Sequence, residues 1–134
     1  MKKNHFKKLV KEWIIKAQND LETAEIIYRE NGPSDTLCFH CHQSVEKYLK
    51  AYLVFKNIHF EKIHHLWKLS KLCSSKDKEF LKLEEELKTL DAYYIESRYP
   101  PEIRAYSQKE CRKVLNIAQK LTQFITNKIL QPNN

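Results

Sequence analysis

The scarcity of chain-breaking residues is the feature that most restricts the folds open to this chain. One glycine and four prolines stand among its 134 residues. That is too few for the tight turns that a sheet protein needs, whereas helices require few breaks. The rest of the sequence is rich in Lys, Glu, Leu, Ile and Ala, most of which are good helix formers. The sequence therefore predicts an all-α protein.

Four long helices are predicted from apolar residues that recur at spacings of three and four. A further stretch, KIHHLWKLSKLCSS at 62–75, is predicted to be a short helix or a connector. The expected long helices run from about Phe6 to Arg29, Asp35 to Lys56, Lys76 to Glu96 and Ser107 to Leu130. The simplest assembly is an antiparallel four-helix up-and-down bundle with an additional short helix. One domain is expected over 1–130, followed by a disordered tail at 131–134.

Residues at the expected helix ends carry capping signals. Gly32 is expected to end the first helix in the left-handed conformation, and Ser34 or Asp35 is expected to cap the second. Ser107, followed three residues later by Glu110, has the pattern of a capping box at the start of the last helix.

Composition narrows the expected location of the protein. No stretch reaches the roughly 20 apolar residues of a membrane span, and the N-terminus lacks the apolar region of a secretion signal. A cytoplasmic protein without membrane contact is therefore expected. Four cysteines in a chain large enough to form its own core do not indicate a disulfide scaffold, so reduced thiols are expected. No cofactor is predicted.

The net charge of +7 is concentrated near the two ends of the chain. Lysines dominate residues 1–16, and Lys and Arg outnumber Glu in residues 98–130. A positive surface favours an anionic partner such as RNA, a nucleotide or an acidic protein. An ordinary solvated basic surface is an equally good interpretation of the same charges.

A cluster of Cys and His at 38–42, in the stretch LCFHCHQSV, raises the question of a metal site. On a helical wheel Cys38 and Cys41 lie on the apolar side, His42 lies at its border and His40 points away. Cys38, Cys41 and His42 could supply three zinc ligands, with a fourth from elsewhere. Because free Cys is among the most buried residue types, packing in the core is the preferred interpretation, and no metal site is predicted.

A polar stripe runs beside the same apolar side. Gln43, Glu46, Lys47 and Lys50 are separated by three, four and seven residues, so they lie along one ridge of the helix. This pattern is typical of a solvated face with a Glu46–Lys50 pair. The alternative is a binding ridge, in which the two amines hold an anion.

The chain resembles the HEPN domains (higher eukaryotes and prokaryotes nucleotide-binding) in three motifs that occur in the family's order. The segment FHCHQSVEKYLKAYLV is similar to the family's second-helix signature, IHHLWKL to its Thr-His-Asp-Leu segment and ESRYP to its Arg-Tyr-Pro. The similarity extends over nearly the whole chain. The matching residues are Gln43, Glu46, Lys47, Leu49, Lys50, Ala51, His64, Leu66, Arg98, Tyr99 and Pro100.

This resemblance implies a bundle of four or five helices that is usually a homodimer. It also implies a minimal nucleotidyltransferase as partner, in a toxin and antitoxin pair. Many HEPN proteins are metal-independent endoribonucleases that carry an Arg followed four to six residues later by a His. In such a site the Arg stabilises charge on the scissile phosphate, and the His moves protons on the 2′-hydroxyl or the leaving oxygen.

The ribonuclease motif is incomplete in this sequence. His65 is the last histidine, so neither Arg98 nor Arg104 is followed by one. Tyr106 is the nearest group with a transferable proton, and a phenol with a pKa near 10 is a poor proton shuttle at pH 7. We therefore expect a module that binds a nucleotide, RNA or a protein partner without catalysis. The alternative is a ribonuclease with a non-standard site built from Arg98, Arg104 and Tyr106.

Anion contacts are expected from Arg98, Lys47 and Lys50, with Gln43 and Glu46 as orienting groups. This set depends on the fold bringing all five residues to one cleft. Arg98 has a structural alternative, in which it contacts the last carbonyls of its own helix. The remaining motif residues, His64, Tyr99 and Pro100, are expected to be structural, with His64 anchoring the connector rather than acting as a base.

Overall fold

The computed structural model describes residues 2–98 and 105–130, with side chains from residue 5. These residues form α-helices and one 3₁₀ helix, with no strand among them, so the predicted all-α bundle is confirmed. Tyr99, Pro100, Arg104 and the tail at 131–134 lie outside the described residues. The elements are α1 (Lys2–Arg29), α2 (Ser34–Phe55), α3 (Leu66–Cys73), a 3₁₀ helix (Lys78–Leu83), α4 (Glu84–Arg98) and α5 (Gln108–Leu130).

Helix α2 forms the centre of the bundle, with α1, α3, α4 and α5 packed around it. Its apolar side is fully covered: Cys41, Val45 and Leu49 have no exposed surface. Cys38, Tyr48 and Tyr52 on the same side are at most 4% exposed. The helical wheel predicted this side as core, and the structure confirms it. Because α2 contacts every other long helix, its polar residues are also the best placed to join elements to one another.

The predicted third long helix is divided in two. A 3₁₀ helix occupies Lys78–Leu83, and α4 begins only at Glu84. Asp77 caps the 3₁₀ helix by accepting a hydrogen bond from the Glu79 amide at 3.0 Å. The tighter 3₁₀ winding places residues three apart on one side, which buries both Phe80 and Leu83. The spacing of three between Phe80 and Leu83 fits both kinds of helix, so the sequence pattern did not separate them.

The turn between α1 and α2 differs from the prediction for Gly32. Asn31, not Gly32, has the left-handed conformation, with φ of 55°. The Gly32 amide donates to the Ile27 carbonyl at 2.8 Å, which is the long bond of a Schellman motif. A Cβ on Gly32 would lie 3.1 Å from Ile27 Cγ2. Glycine is therefore suited to this position by the close approach to Ile27 rather than by its backbone angles.

The predicted caps of α2 are also wrong, while the capping box of α5 is confirmed. The residue before α2 is Pro33, and no side chain caps this end. The Ser34 hydroxyl instead accepts a hydrogen bond from the Tyr106 amide at 2.8 Å, which ties the α1–α2 turn to the start of α5. In the capping box the Glu110 amide donates to Ser107 Oγ at 3.1 Å, and the Ser107 amide donates to Glu110 Oε1 at 3.3 Å.

Within 2–98 and 105–130, every helix is too short or too polar to span a membrane.

Candidate functional site

The polar stripe of α2 is largely buried, not solvated as its spacing suggested. Glu46 is 4% exposed and Lys50 is 7% exposed. The predicted pair forms, with Lys50 Nζ 2.9 Å from Glu46 Oε2. The Lys50 ammonium also lies 5.8 Å from the centre of the Trp13 ring and 6.0 Å from that of Phe60. Lys50 is thus neutralised by a carboxylate and enclosed by aromatic rings.

Lys47 lies on the other side of the stripe and faces α1. Its ammonium forms an ion pair with Asp20, whose second carboxylate oxygen is 2.8 Å from His40 Nδ1. Asp20 is only 8% exposed. Both predicted lysine contacts are therefore committed to carboxylates of the chain itself, Lys50 to Glu46 of its own helix and Lys47 to Asp20 of α1.

The buried imidazole of His42 lies between two carboxylates. Its Nε2 is 3.0 Å from Asp91 Oδ1, and its Nδ1 is 3.8 Å from Glu46 Oε1. Asp91 also accepts hydrogen bonds from the amides of Leu66 and Trp67 at the start of α3, so Nε2 is the donor in the His42–Asp91 bond. Asp91 therefore joins α2, α3 and α4 at one point.

Three buried polar atoms beside this junction have no hydrogen-bond partner in the described part of the chain. They are His42 Nδ1, Gln43 Oε1 and Glu46 Oε1, all within little more than one turn of α2. Buried polar atoms are usually paired, so this group stands out from the rest of the core. Gln43, predicted as an orienting group, is thus placed next to Glu46.

The two histidines before α3 contact the same carboxylates from the solvent side. His64 Nδ1 is 3.1 Å from Glu46 Oε2, although 65% of its side chain is exposed. His65 Nδ1 is 3.4 Å from Asp91 Oδ2, with 43% of the side chain exposed. This contact joins the stretch before α3 to α2, while the structural role of His64 stays a prediction. His65 in addition caps α3 by accepting from the Lys68 amide at 3.4 Å.

Arg98 is connected to α2 through an aromatic ring rather than through the lysines. Its guanidinium carbon lies 4.8 Å from the centre of the Tyr94 ring, and its Nη1 donates to the Tyr94 hydroxyl at 2.6 Å. The Tyr94 ring in turn stacks on His42, with ring centres 3.7 Å apart and planes inclined by 11°. Phe39 stacks on Tyr94 from α2 as well, at 6.0 Å. Arg98 thus stands on a platform of rings whose innermost member is fixed by Asp91.

Tyr94 and Asp91 were not among the residues that the sequence singled out as a site. Asp91 could have been noticed in the sequence, because it is a charged residue that directly follows Leu90 in a segment of regularly spaced apolar residues. Asp91, Tyr94 and Arg98 are separated by three and four residues and lie on one face of α4. Tyr106, predicted for the ribonuclease alternative, packs its ring edge on Tyr93 at 5.1 Å, and its hydroxyl is 3.5 Å from Glu96 Oε2.

The Cys and His cluster at 38–42 does not converge. Cys38 and Cys41 face the core, while His40 is directed to Asp20 and His42 to Asp91. Burial raises the pKa of the Cys38 thiol to about 12 and raises that of Cys41 as well. In the ranges that the structure describes, no three His, Cys, Asp or Glu side chains are arranged to hold a metal ion.

Comparison with known proteins agrees with the motifs and with the fold. The HEPN domain family matches residues 10–129. A relative from Methanocaldococcus jannaschii, named "Putative toxin MJ1304", is 26% identical over 88% of this chain and 86% of its own length. The crystal structure of ST0689, an archaeal HEPN homologue, has a TM-score of 0.69 at 21% identity, covering 90% of this chain and 97% of that one. The crystal structure of TT1696 from Thermus thermophilus has a TM-score of 0.71 at 24% identity, covering 89% and 97%.

Proposed function

The chain belongs to the HEPN domain family, and on that premise we propose that it is a binding module that holds a nucleotide or RNA phosphate at Arg98 without cutting it. The observation that carries this proposal is the position of the Arg98 guanidinium, 4.8 Å from the centre of the Tyr94 ring and bonded to the Tyr94 hydroxyl, while that ring is stacked on the buried His42. A guanidinium held over an aromatic ring loses less freedom when it binds an anion, and its planar fork matches the geometry of a phosphate.

The chemistry of Arg98 suits a phosphate better than that of the two lysines does. Guanidinium and phosphate form paired, charge-assisted hydrogen bonds, whereas an ammonium acts as a point charge. Lys47 and Lys50 are each paired with a carboxylate, so an anion would have to displace Asp20 or Glu46 to reach them. We therefore assign the main anion contact to Arg98, and we assign to Gln43, Glu46 and Lys50 the support of the platform beneath it.

Binding without cleavage is supported by the placement of the proton-transfer groups. His42 has no exposed surface, and its Nε2 proton is committed to Asp91. The Tyr106 phenol is engaged with Glu96. Neither group is presented to solvent as a ready base beside Arg98. The net charge of +7 adds a general attraction for anionic ligands.

A cleavage and binding assay on the same preparation tests the proposal. We expect a fluorescent single-stranded RNA to bind the wild-type protein and to remain intact after long incubation. Arg98→Ala should weaken binding by about tenfold or more, as expected for the loss of hydrogen bonds to a charged group. Arg112→Ala, an exposed arginine on α5, is the matched control and should bind nearly as the wild type does. Equal affinity of the two variants would remove Arg98 from the site.

A ribonuclease is the second candidate, and one observation favours it. His65, although outside the family's motif, presents an exposed imidazole whose Nδ1 accepts from the Lys68 amide and lies 3.4 Å from Asp91, a residue on the same face of α4 as Arg98. An imidazole held in one orientation can transfer a proton at its other nitrogen. The variant His65→Asn keeps an acceptor for the cap of α3 and removes the proton shuttle. RNA cleavage by the wild type that is lost in both Arg98→Ala and His65→Asn would establish this alternative in place of the binding module.

We also propose that the protein acts as a homodimer in a pair with a minimal nucleotidyltransferase, of the toxin and antitoxin type. The name of the Methanocaldococcus jannaschii relative supports the toxin half of this proposal. Light scattering on the purified chain tests the dimer. Co-expression with a nucleotidyltransferase from the neighbouring reading frame, followed by affinity purification through one partner, tests the pair. A monomer that shows no association with such a protein would contradict both parts.

A further inference from the structure

An apolar groove of about 380 Å³ is formed by the first half of α1 and the ends of α2 and α5. Its apolar lining consists of Phe6, Val10, Ile14, Phe55, Ile129 and Leu130. Phe55 is 36% exposed and Leu130 is 69% exposed, so the groove is open to solvent. Small-molecule sites are mostly apolar and usually have volumes of about 300 to 1,000 Å³. The groove therefore has the size and the lining of a ligand site.

Two lysines form the charged edge of the groove. Lys7 and Lys11 line it from α1, and both are exposed. Neither forms an ion pair within 2–98 and 105–130, in contrast to Lys47 and Lys50. No Asp or Glu in the described part of the chain lines the groove. Because like charges four residues apart on a helix repel each other, an anion placed between the two ammonium groups would be stabilised.

The dimensions of the groove favour a small molecule over a protein or a membrane. Eight residues line it, whereas a stable protein interface uses about 20 to 30 residues on each side. A helix that binds a membrane buries an outward-facing apolar side among the lipids, whereas these apolar side chains line a depression. From Phe6 to Ile14, α1 rises by roughly 12 Å. That length suits one alkyl chain of medium length.

We propose that this groove binds a free medium-chain fatty acid. Its carboxylate lies between the ammonium groups of Lys7 and Lys11, which donate charge-assisted hydrogen bonds to it. Its alkyl chain lies in the groove and covers the exposed surface of Phe55 and Leu130, and this removal of apolar surface from water favours binding. No lining residue belongs to the platform of rings beneath Arg98, so this inference does not depend on the proposed function.

Titration with decanoate below its micelle concentration tests the proposal, by calorimetry and by ¹⁵N-amide shifts on the full chain. We expect saturable binding at one site per chain, with shifts grouped around Val10, Ile14 and Ile129. Decyltrimethylammonium has the same chain with the opposite charge, and acetate has the carboxylate without the chain. Both should bind at least about tenfold more weakly than decanoate. Decanoate binding that is absent, or shifts grouped elsewhere on the surface, would overturn the proposal.

Three variants separate the groove from general attraction to a chain of net charge +7. Lys7→Gln combined with Lys11→Gln should weaken decanoate binding by about tenfold or more, because both charged donors are lost. Lys109→Gln combined with Lys113→Gln removes two exposed charges at the same spacing on α5. This control should bind within about twofold of the wild type, since distant surface charges are screened. Leu130→Glu places a carboxylate at an exposed edge of the groove and should also weaken binding. Equal weakening by the two lysine pairs would overturn the proposal.

Two further measurements would reveal a different occupant. Amide shifts in the groove that depend on protein concentration, with no response to decanoate, would assign the groove to a second copy of the chain. Binding to phosphatidylglycerol vesicles that is lost in Leu130→Glu, again with no response to decanoate, would assign it to a membrane surface. Either result would contradict the fatty-acid site.

Discussion

The ring of Tyr94 lies 3.7 Å from the imidazole of His42, and the two planes are inclined by only 11°. The exposed guanidinium of Arg98 lies over the Tyr94 ring, and Tyr94 in turn lies on His42, which has no exposed surface. Since Asp91 fixes His42, the orientation of Arg98 depends on a carboxylate located two turns earlier on the same helix.

Substitutions of Tyr94 should separate the ring from the hydroxyl. Tyr94→Phe keeps the stacked platform and removes the hydroxyl that accepts from Arg98 Nη1, so RNA or nucleotide affinity should fall by about threefold or less. Tyr94→Leu removes the platform, and the affinity should approach that of Arg98→Ala. Fluorescence anisotropy with a labelled RNA measures both. If Tyr94→Leu binds as the wild type does, the ring does not position Arg98.

Asp91 should be important for stability. Asp91→Ala removes the carboxylate that accepts hydrogen bonds from the His42 imidazole and from two amides at the start of α3. These donors would then be left unpaired inside the protein. Unsatisfied buried donors cost about 1 to 3 kcal/mol each, so we expect the free energy of unfolding to fall by about 3 kcal/mol. Urea denaturation followed by circular dichroism measures it. The control is Thr89→Ala on the exposed side of α4, which should change stability by less than about 0.5 kcal/mol.

Asp77 should make the protein less stable in acid. Partial burial raises the pKa of Asp77, but hydrogen bonds from Lys128 and from the Glu79 amide outweigh it, and the pKa is lowered from 3.8. A carboxyl with a depressed folded pKa stabilises the protein above its unfolded pKa, and this contribution disappears as the pH falls through the folded value. We therefore expect wild-type stability to decline below about pH 4 more steeply than that of Asp77→Asn. Thermal melts from pH 6 to pH 2.5 measure the difference, and parallel curves would contradict the prediction.

The cysteines should be unreactive in the folded protein. All four are free and buried, and burial raises the pKa of Cys38 to about 12. Thiolate, rather than thiol, is the reactive form, so a disulfide reagent at pH 8 should modify the native protein very slowly. The same reagent in guanidinium chloride should react rapidly with four thiols per chain. Rapid reaction of native protein would show that Cys38 or Cys111 is accessible.

Local signals accounted for the helices and for the capping box of α5. Apolar residues at spacings of three and four placed α2 within one residue of its observed ends, because that periodicity is a property of one helix alone. The same signals were wrong for the turn at Gly32 and for the 3₁₀ helix at Lys78–Leu83. The turn was misassigned because Asn, like Gly, can take the left-handed conformation, so residue type alone did not choose between Asn31 and Gly32. The 3₁₀ helix depends on the packing of Phe80 against Tyr52 and Phe124, which are far away in the chain.

The candidate site could not be predicted from single helices, because its residues contact one another across different elements. Spacing correctly paired Glu46 with Lys50, but it could not show that the stretch before α3 covers them, so the stripe looked solvated. It also could not show that Lys47 turns towards Asp20 or that Tyr94 joins Arg98 to His42.

The amino-acid sequence by itself determined an all-α chain, the approximate helices and the apolar side of α2, since these follow from residue type and helical period. The tertiary structure alone decided which polar groups are buried, which carboxylate each lysine and histidine contacts, and where clefts remain between the helices. The physical reason is that solvation and ion pairing depend on distances between side chains far apart in the chain, and only packing sets those distances.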